Sequence, residues 1–281
     1  MGKGGAGKST IAEGLSLLAA HDGERVLLVR LGESASRSRS ETVTRTRHGF
    51  DLIDLDPRAA MDEYVRRVIR IGPLASRIIG SDVYRRFFAA APGLPELAVL
   101  GRIRAFAGEA GRGGEPRWSA VVVDCPSSGH GLLMLETPKV ALRAVAAGPF
   151  SRIASGVADW LRTEASASIV AVPEEMAVVE AIELGTDLSD RVGLPLRFVF
   201  LNRMRGEILS PEARRSIASS ALSPADERLI ETARRAAKRS RLETFHRRRL
   251  AKGLGVSPIE LADLAEAGAA AMESSIREAV A

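Results

Sequence analysis

Residues 2–10 read Gly-Lys-Gly-Gly-Ala-Gly-Lys-Ser-Thr, which fits the spacing G-x-x-x-x-G-K-[ST] with Gly2, Gly7, Lys8 and Ser9 in the fixed places. The chemistry this spacing serves is the cradling of phosphate oxygens. Gly2, Gly4, Gly5 and Gly7, with Ala6 between, let the backbone turn tightly and aim N–H groups at an anion. Lys8 is placed to reach the β- and γ-phosphates of a nucleotide, and the Ser9 hydroxyl to ligate Mg²⁺, with Thr10 closing the set. A helix from Ser9 to Ala20 is expected directly afterwards, with apolar Ile11, Leu15 and Leu18, its positive N-terminal end aimed at the phosphates.

Further residues point the same way. Trp118 to Asp124 is an apolar run that ends in a carboxylate. In phosphate-loop enzymes such an Asp holds Mg²⁺ through a water or orients the attacking one. Pro126 to His130 then form a small polar loop suited to sensing a γ-phosphate. His130 alone carries no catalytic assignment, and Cys125 reads as a small residue at a strand end. Asn202 follows the run Phe198–Leu201. Its amide suits an adenine edge and equally suits a turn, so both readings stand.

These groups need a sheet to hold them. Arg25–Leu31, Gly49–Leu55, Trp118–Cys125, Ser166–Val172 and Leu196–Asn202 read as short strands rich in Val, Ile and Leu, as expected of parallel strands buried on both faces. Helical stretches alternate with them, which predicts a doubly wound α/β fold with a parallel sheet. Asp56 to Arg117, punctuated by Pro and Gly, reads as a helical lobe. The chain after Asn202 reads as helical and basic, with a last helix over Leu261–Ala281. One element is missing from the pattern. A phosphate loop follows a central strand of about 5–6 residues, and only Met1 precedes Gly2. The expectation is a start site placed too late, which mass spectrometry of the native N-terminus checks.

Composition limits the alternatives. The chain has 281 residues, 46% hydrophobic and 27% charged, ordinary for a globular protein. No apolar run is long enough to span a bilayer, no signal peptide is expected, and the cytoplasm is the natural compartment for a chain with one cysteine. Cys125 alone builds neither a disulfide framework nor a multi-cysteine zinc site. Net charge is +5. Arg66 to Arg86 and Arg234 to Lys252 are basic runs; charge runs usually face solvent, and nucleic-acid binding is not expected because only Phe245 interleaves the second run.

Taken together, the residues resemble the ArsA family, which includes the arsenite-pump ATPase and the ATPase that delivers tail-anchored membrane proteins. Lys3, in Lys-Gly-Gly-x-Gly-Lys, resembles the early lysine of the deviant phosphate loop, which in those families reaches the nucleotide of the opposite subunit. Leu55-Asp56-Pro57, Pro92-Gly93-Leu94-Pro95-Glu96, Asp124–Leu133, Pro173-Glu174-Glu175 and Leu201-Asn202-Arg203 resemble the family's further motifs. The resemblance implies a single ATPase domain over 1–281 with 56–117 as its helical lobe, ATP and Mg²⁺ as cofactors, Asn202 at the adenine, and a homodimer or a heterodimer with a related chain, with a protein client. One departure matters. The family's switch I Asp falls on Gly32, and Glu33 stands one residue late, about 3.3–3.6 Å along an extended chain. Nucleotide binding is therefore expected with hydrolysis in doubt, and a related partner chain would supply the missing group. The alternatives are a competent homodimer using Glu33, and a partition-type binding module like the ParA and MinD relatives.

Overall fold

The computed structural model describes residues 1–31, 42–111, 113–144, 147–206, 210, 212, 215, 224–264 and 268–280. All the expected strands form: β1 (Val26–Arg30), β3 (Asp51–Asp54), β4 (Ala120–Asp124), β5 (Ala167–Ala171) and β6 (Leu196–Met204). Two further strands join them. β2 (Thr44–Arg45) is a short antiparallel edge on β3. β7 (Ile259–Ala262) runs parallel to β6. The described residues pair as β2-β3-β1-β4 and β5-β6-β7, and every pairing except the β2 edge is parallel.

β7 corrects the expectation of a helix from Leu261. Its Ile-Glu-Leu-Ala pattern alternates, and Leu261 is fully buried in a cluster with Ile11 of the helix Lys8–His21 and with Met272 and Ile276 of the last helix. A period of two places Ile259 and Leu261 on one side and Glu260 and Ala262 on the other, as in a strand.

The alternation of the strands sorts their side chains into two layers. Val26 and Leu28 face Ala12 and Leu17 of α1 (Lys8–His21). Leu27 and Val29 face the large core on the other side. Val170, Val172 and Phe200 meet Ile11 of α1 and Met272 and Ile276 of α10 (Gly268–Val280). Ile169, Ala171, Val199 and Leu201 turn to the large core. Helices α5 (Leu94–Ala107), α6 (Ser128–Ala144), α7 (Pro149–Thr163), α8 (Glu175–Asp187) and α9 (Pro224–Leu254) belong with that second layer. Burial on both faces is what the dense Val, Ile and Leu of the strands require.

The segment expected as a helical lobe holds α2 (Pro57–Val68), α3 (Gly72–Ile79), α4 (Asp82–Ala90) and α5. Asp56 caps α2 by accepting from the N–H groups of Arg58 at 3.0 Å and Ala59 at 2.9 Å, with Pro57 in the first turn. The Tyr84 hydroxyl donates to Asp62 at 2.7 Å and joins α4 to α2.

No strand precedes Gly2 among the described residues. Met1 instead runs beside β5: its amino group donates to Ser168 O at 2.6 Å, and its carbonyl accepts from Val170 N at 2.7 Å. That is the bonding pattern of one parallel bridge, with Ile169 opposite Met1. On the next residue, Gly2 O accepts from Ser128 N at 3.1 Å.

Candidate functional site

The loop 2–10 is shaped by contacts that only glycine tolerates. Gly2, Gly5 and Gly7 hold φ values of 145°, 78° and 96°. A Cβ on Gly2 would lie 2.1 Å from the carbonyl oxygen of Val170 in β5, and one on Gly7 would lie 2.4 Å from Asn202 Nδ2. Those two glycines are pressed against the sheet. Gly4 and Gly5 are exposed, with no atom of a described residue within 4 Å of where a Cβ would stand. Among the described residues the loop therefore has a fixed inner side and an open outer side.

The helix that follows leaves its first N–H groups for a ligand. Gly7 is the N-cap of α1, no side chain caps it, and the first turn holds no acidic residue. Lys8 Nζ donates to Lys3 O at 3.2 Å, which folds the ammonium over the loop. Ala6 N donates to the same carbonyl at 3.3 Å. Lys3 is half-buried, and Ser9 and Thr10 stand in the first turn of α1, Ser9 exposed.

Asn202 reaches the loop from the far end of β6. It is 4% exposed, and its Nδ2 donates to Ala6 O at 2.9 Å. The backbone that presents it is irregular. The β6–β7 register shifts between Leu201 and Met204, and Arg203 has φ 62°, the positive-φ residue among the described non-glycines. Asn202 thus lies within β6 rather than in a turn, and its amide makes a buried polar contact to the loop.

Asp124 ends β4, in register with Arg30 at the end of β1. The Arg30 guanidinium is held by Asp54 through bonds of 2.7 and 3.1 Å and lies 3.9 Å from Glu13. Its pKa is raised, first by the Asp54 hydrogen bond, with the charges of Asp54, Glu13 and Asp124 adding and desolvation opposing. This Arg30–Asp54–Glu13 cluster is absent from the sequence expectations, although an arginine closing the apolar strand Val26–Val29 was its visible signal. Burial pushes the Cys125 thiol above its usual pKa. The Met1 ammonium and Lys8 pull it down, and Asp124 pushes it up. Burial lowers the Met1 amino group in turn, with Cys125, Lys8 and Asp124 as its charged neighbours. Lys8 and Asp124, far apart in sequence, are thus both charged neighbours of Met1 and Cys125.

Ser128 opens α6 beside the loop and His130 is exposed in its first turn. Gly32 and Glu33 lie outside the described residues. Among the described residues no group of three or more His, Cys, Asp or Glu is arranged to hold a metal ion. Ser9 and Asp124 offer one hydroxyl and one carboxylate. That donor set fits Mg²⁺, which keeps several waters and shares nucleotide phosphates rather than occupying an all-protein cage.

The sequence profile of the anion-transporting ATPase family, ArsA ATPase, matches residues 1–147. The ATPase BagA of Mycobacterium tuberculosis is 29% identical over 226 residues, 75% of this chain and 66% of its own length. The arsenical pump-driving ATPase of Escherichia coli is 26% identical over 204 residues, 69% of this chain and 32% of its own length. The chain thus spans 66% of the length of the mycobacterial relative. Among solved structures, the cell division protein MinD of Aquifex aeolicus aligns with 99% of this chain and 93% of its own, at 13% identity and TM-score 0.42. No helix among the described residues is long and apolar enough to cross a membrane. With the glycine-shaped loop, the lysine over it and the strand-end aspartate all inside the matched residues 1–147, the chain belongs to the anion-transporting ATPase family.

Proposed function

We propose that the chain is an ATP-binding subunit of a nucleotide-gated dimer, working in the cytoplasm as one ATPase domain across residues 1–281. The observation that carries this reading is the loop itself: pinned to β5 and Asn202 on one side, open at Gly4 and Gly5 on the other, with an uncapped helix behind it. Backbone N–H groups of residues 4–10 and the Lys8 ammonium bind the phosphates. Ser9 and Asp124 hold Mg²⁺, which when bound neutralises charge on the β- and γ-oxygens. Asn202 positions the loop through Ala6 and keeps its carbonyl oxygen for the adenine amino group. Lys3 acts across the dimer interface on the partner's nucleotide.

Gly32 stands where the family carries its switch I carboxylate, so hydrolysis by this chain alone is slow and a related chain completes the site. Two measurements test this. Calorimetric titration with Mg-ATP gives saturable binding by the natural protein and none by Lys8→Ala. Single-turnover hydrolysis then rises on adding a related chain of the family. Full turnover without that partner overturns the heterodimer and assigns the water-orienting role to Glu33 in a homodimer. Nucleotide binding with no hydrolysis in either arm favours the partition-type binding module.

A further inference from the structure

Helix α9 presents two faces of opposite character. Ser240, Glu243, His246 and Leu250 are buried, and Leu250 lies in the large core. The opposite face carries Arg234, Lys238, Arg241, Phe245, Arg248 and Lys252, all exposed. Their spacing alternates between four and three residues, which keeps them on one side of a helix. At a rise of about 1.5 Å per residue the stripe is about 27 Å long.

The cations in the stripe differ from those beside it. Arg239 bonds Glu243 at 3.3 Å, Arg247 bonds Glu260 at 3.1 Å, Arg249 lies 3.8 Å from Glu175, and Arg235 pairs with Glu231. The side chains of Arg234, Lys238, Arg241, Arg248 and Lys252 make no ion pair or hydrogen bond with a described residue. In the middle of this row stands Phe245, 56% exposed, and Leu242, 47% exposed, flanks it one turn earlier at the edge of the same face.

We propose that this face of α9 docks flat on an anionic lipid surface. The cations meet the headgroup phosphates and carboxylates, while Phe245 and Leu242 enter the boundary between headgroups and acyl chains. Long basic side chains around an apolar centre, on a helix lying parallel to the surface, are the arrangement such an interface takes. A nucleic-acid backbone would satisfy the cations equally well. It would leave Leu242 without a partner, and one phenylalanine is no stacking platform for bases. The apolar pair therefore decides between the two.

The test is sedimentation of the full chain with vesicles of phosphatidylcholine and with vesicles in which about a third of the lipid is phosphatidylglycerol. Binding to the anionic vesicles alone is expected, weakened by high salt. Lys238→Glu with Arg241→Glu lowers it by about tenfold or more, and Phe245→Ser lowers it several-fold. These side chains are exposed, and unchanged thermal melting of each variant shows that the fold is kept. In Phe245→Trp, indole fluorescence shifts to the blue on anionic vesicles. Failure to bind anionic vesicles, or equal binding to neutral ones, overturns the proposal. So does a Phe245→Ser variant that binds vesicles as the natural protein does. Retention on duplex DNA that Phe245→Ser leaves unchanged, with no vesicle binding, assigns the stripe to nucleic acid instead.

Discussion

At the scale of single residues, the loop glycines divide into those the fold requires and those the ligand requires. Gly7 has φ 96° and presses on Asn202, whereas Gly4 meets open space. Gly7→Ala therefore carries both backbone strain and a clash, and the expected result is loss of Mg-ATP binding by calorimetry. Gly4→Ala has room for its methyl group and lowers affinity only through the ligand. Cys125 allows a prediction in pH. Burial raises its thiol pKa in the folded state, so the native protein favours the neutral thiol. The resulting stability is fully present below the pKa of the unfolded thiol and is lost as pH rises through the folded value. Because the thiolate is the nucleophile, an aromatic disulfide reagent at mildly alkaline pH reacts slowly with native protein and fast in urea. Equal rates would contradict the assignment. Lys8, Ser9 and Asp124 were singled out in the sequence because a short motif and a strand end name them. Arg30 was not, because its meaning depends on Asp54 and Glu13, which only the folded chain brings near.

At the scale of elements, β6 does more than add to the sheet. Its irregular end, with Arg203 in a left-handed conformation, turns the Asn202 amide inward under the loop. Asn202→Ala removes the donor to Ala6 O and leaves a buried carbonyl unpaired, which costs about 1–3 kcal/mol. The expected outcome is a lower melting temperature together with weaker nucleotide binding, the second measured at a temperature where the variant is fully folded. Affinity equal to that of the natural protein would confine Asn202 to stability. The strand positions were readable in the sequence because continuous Val, Ile and Leu runs have few alternatives. β7 was not, since its four residues sit before an Ala-rich stretch whose composition favours helix. Pairing with β6 and burial of Leu261 overrode that local preference.

At the scale of the whole molecule, the loop is held from both directions. α10 packs on α1, the helix that carries Lys8 and Ser9, and buries Met272 and Ile276 against Ile11 and Ala6. Arg277 ties the same pair together by bonding Asp22 at 3.0 Å. The C-terminal helix thus supports the N-terminal site across nearly the full length of the chain. Ile276→Ala opens a cavity in that layer, and a loss of about 2–5 kcal/mol in denaturant-induced unfolding is expected. Bound Mg-ATP should restore part of the loss, since a ligand that binds only the folded state stabilises it by mass action. A variant as stable as the natural protein would show that α10 is dispensable to the site.

By itself, the sequence determined the glycine-rich loop motif, the positions of the major strands along the chain and the family, because each rests on local spacing or on apolar runs whose burial is unambiguous. The tertiary structure decided which side of the loop is open, what holds the other side, and where α10 and β7 lie. Those are contacts between residues such as Gly2 and Val170, Gly7 and Asn202, and Ile11 and Ile276, set by close packing between segments remote in the chain. It also separated the basic run of α9 into cations that pair with described residues and cations that do not. That distinction depends on which carboxylates the fold places opposite each guanidinium, so composition could count the charges but not assign them.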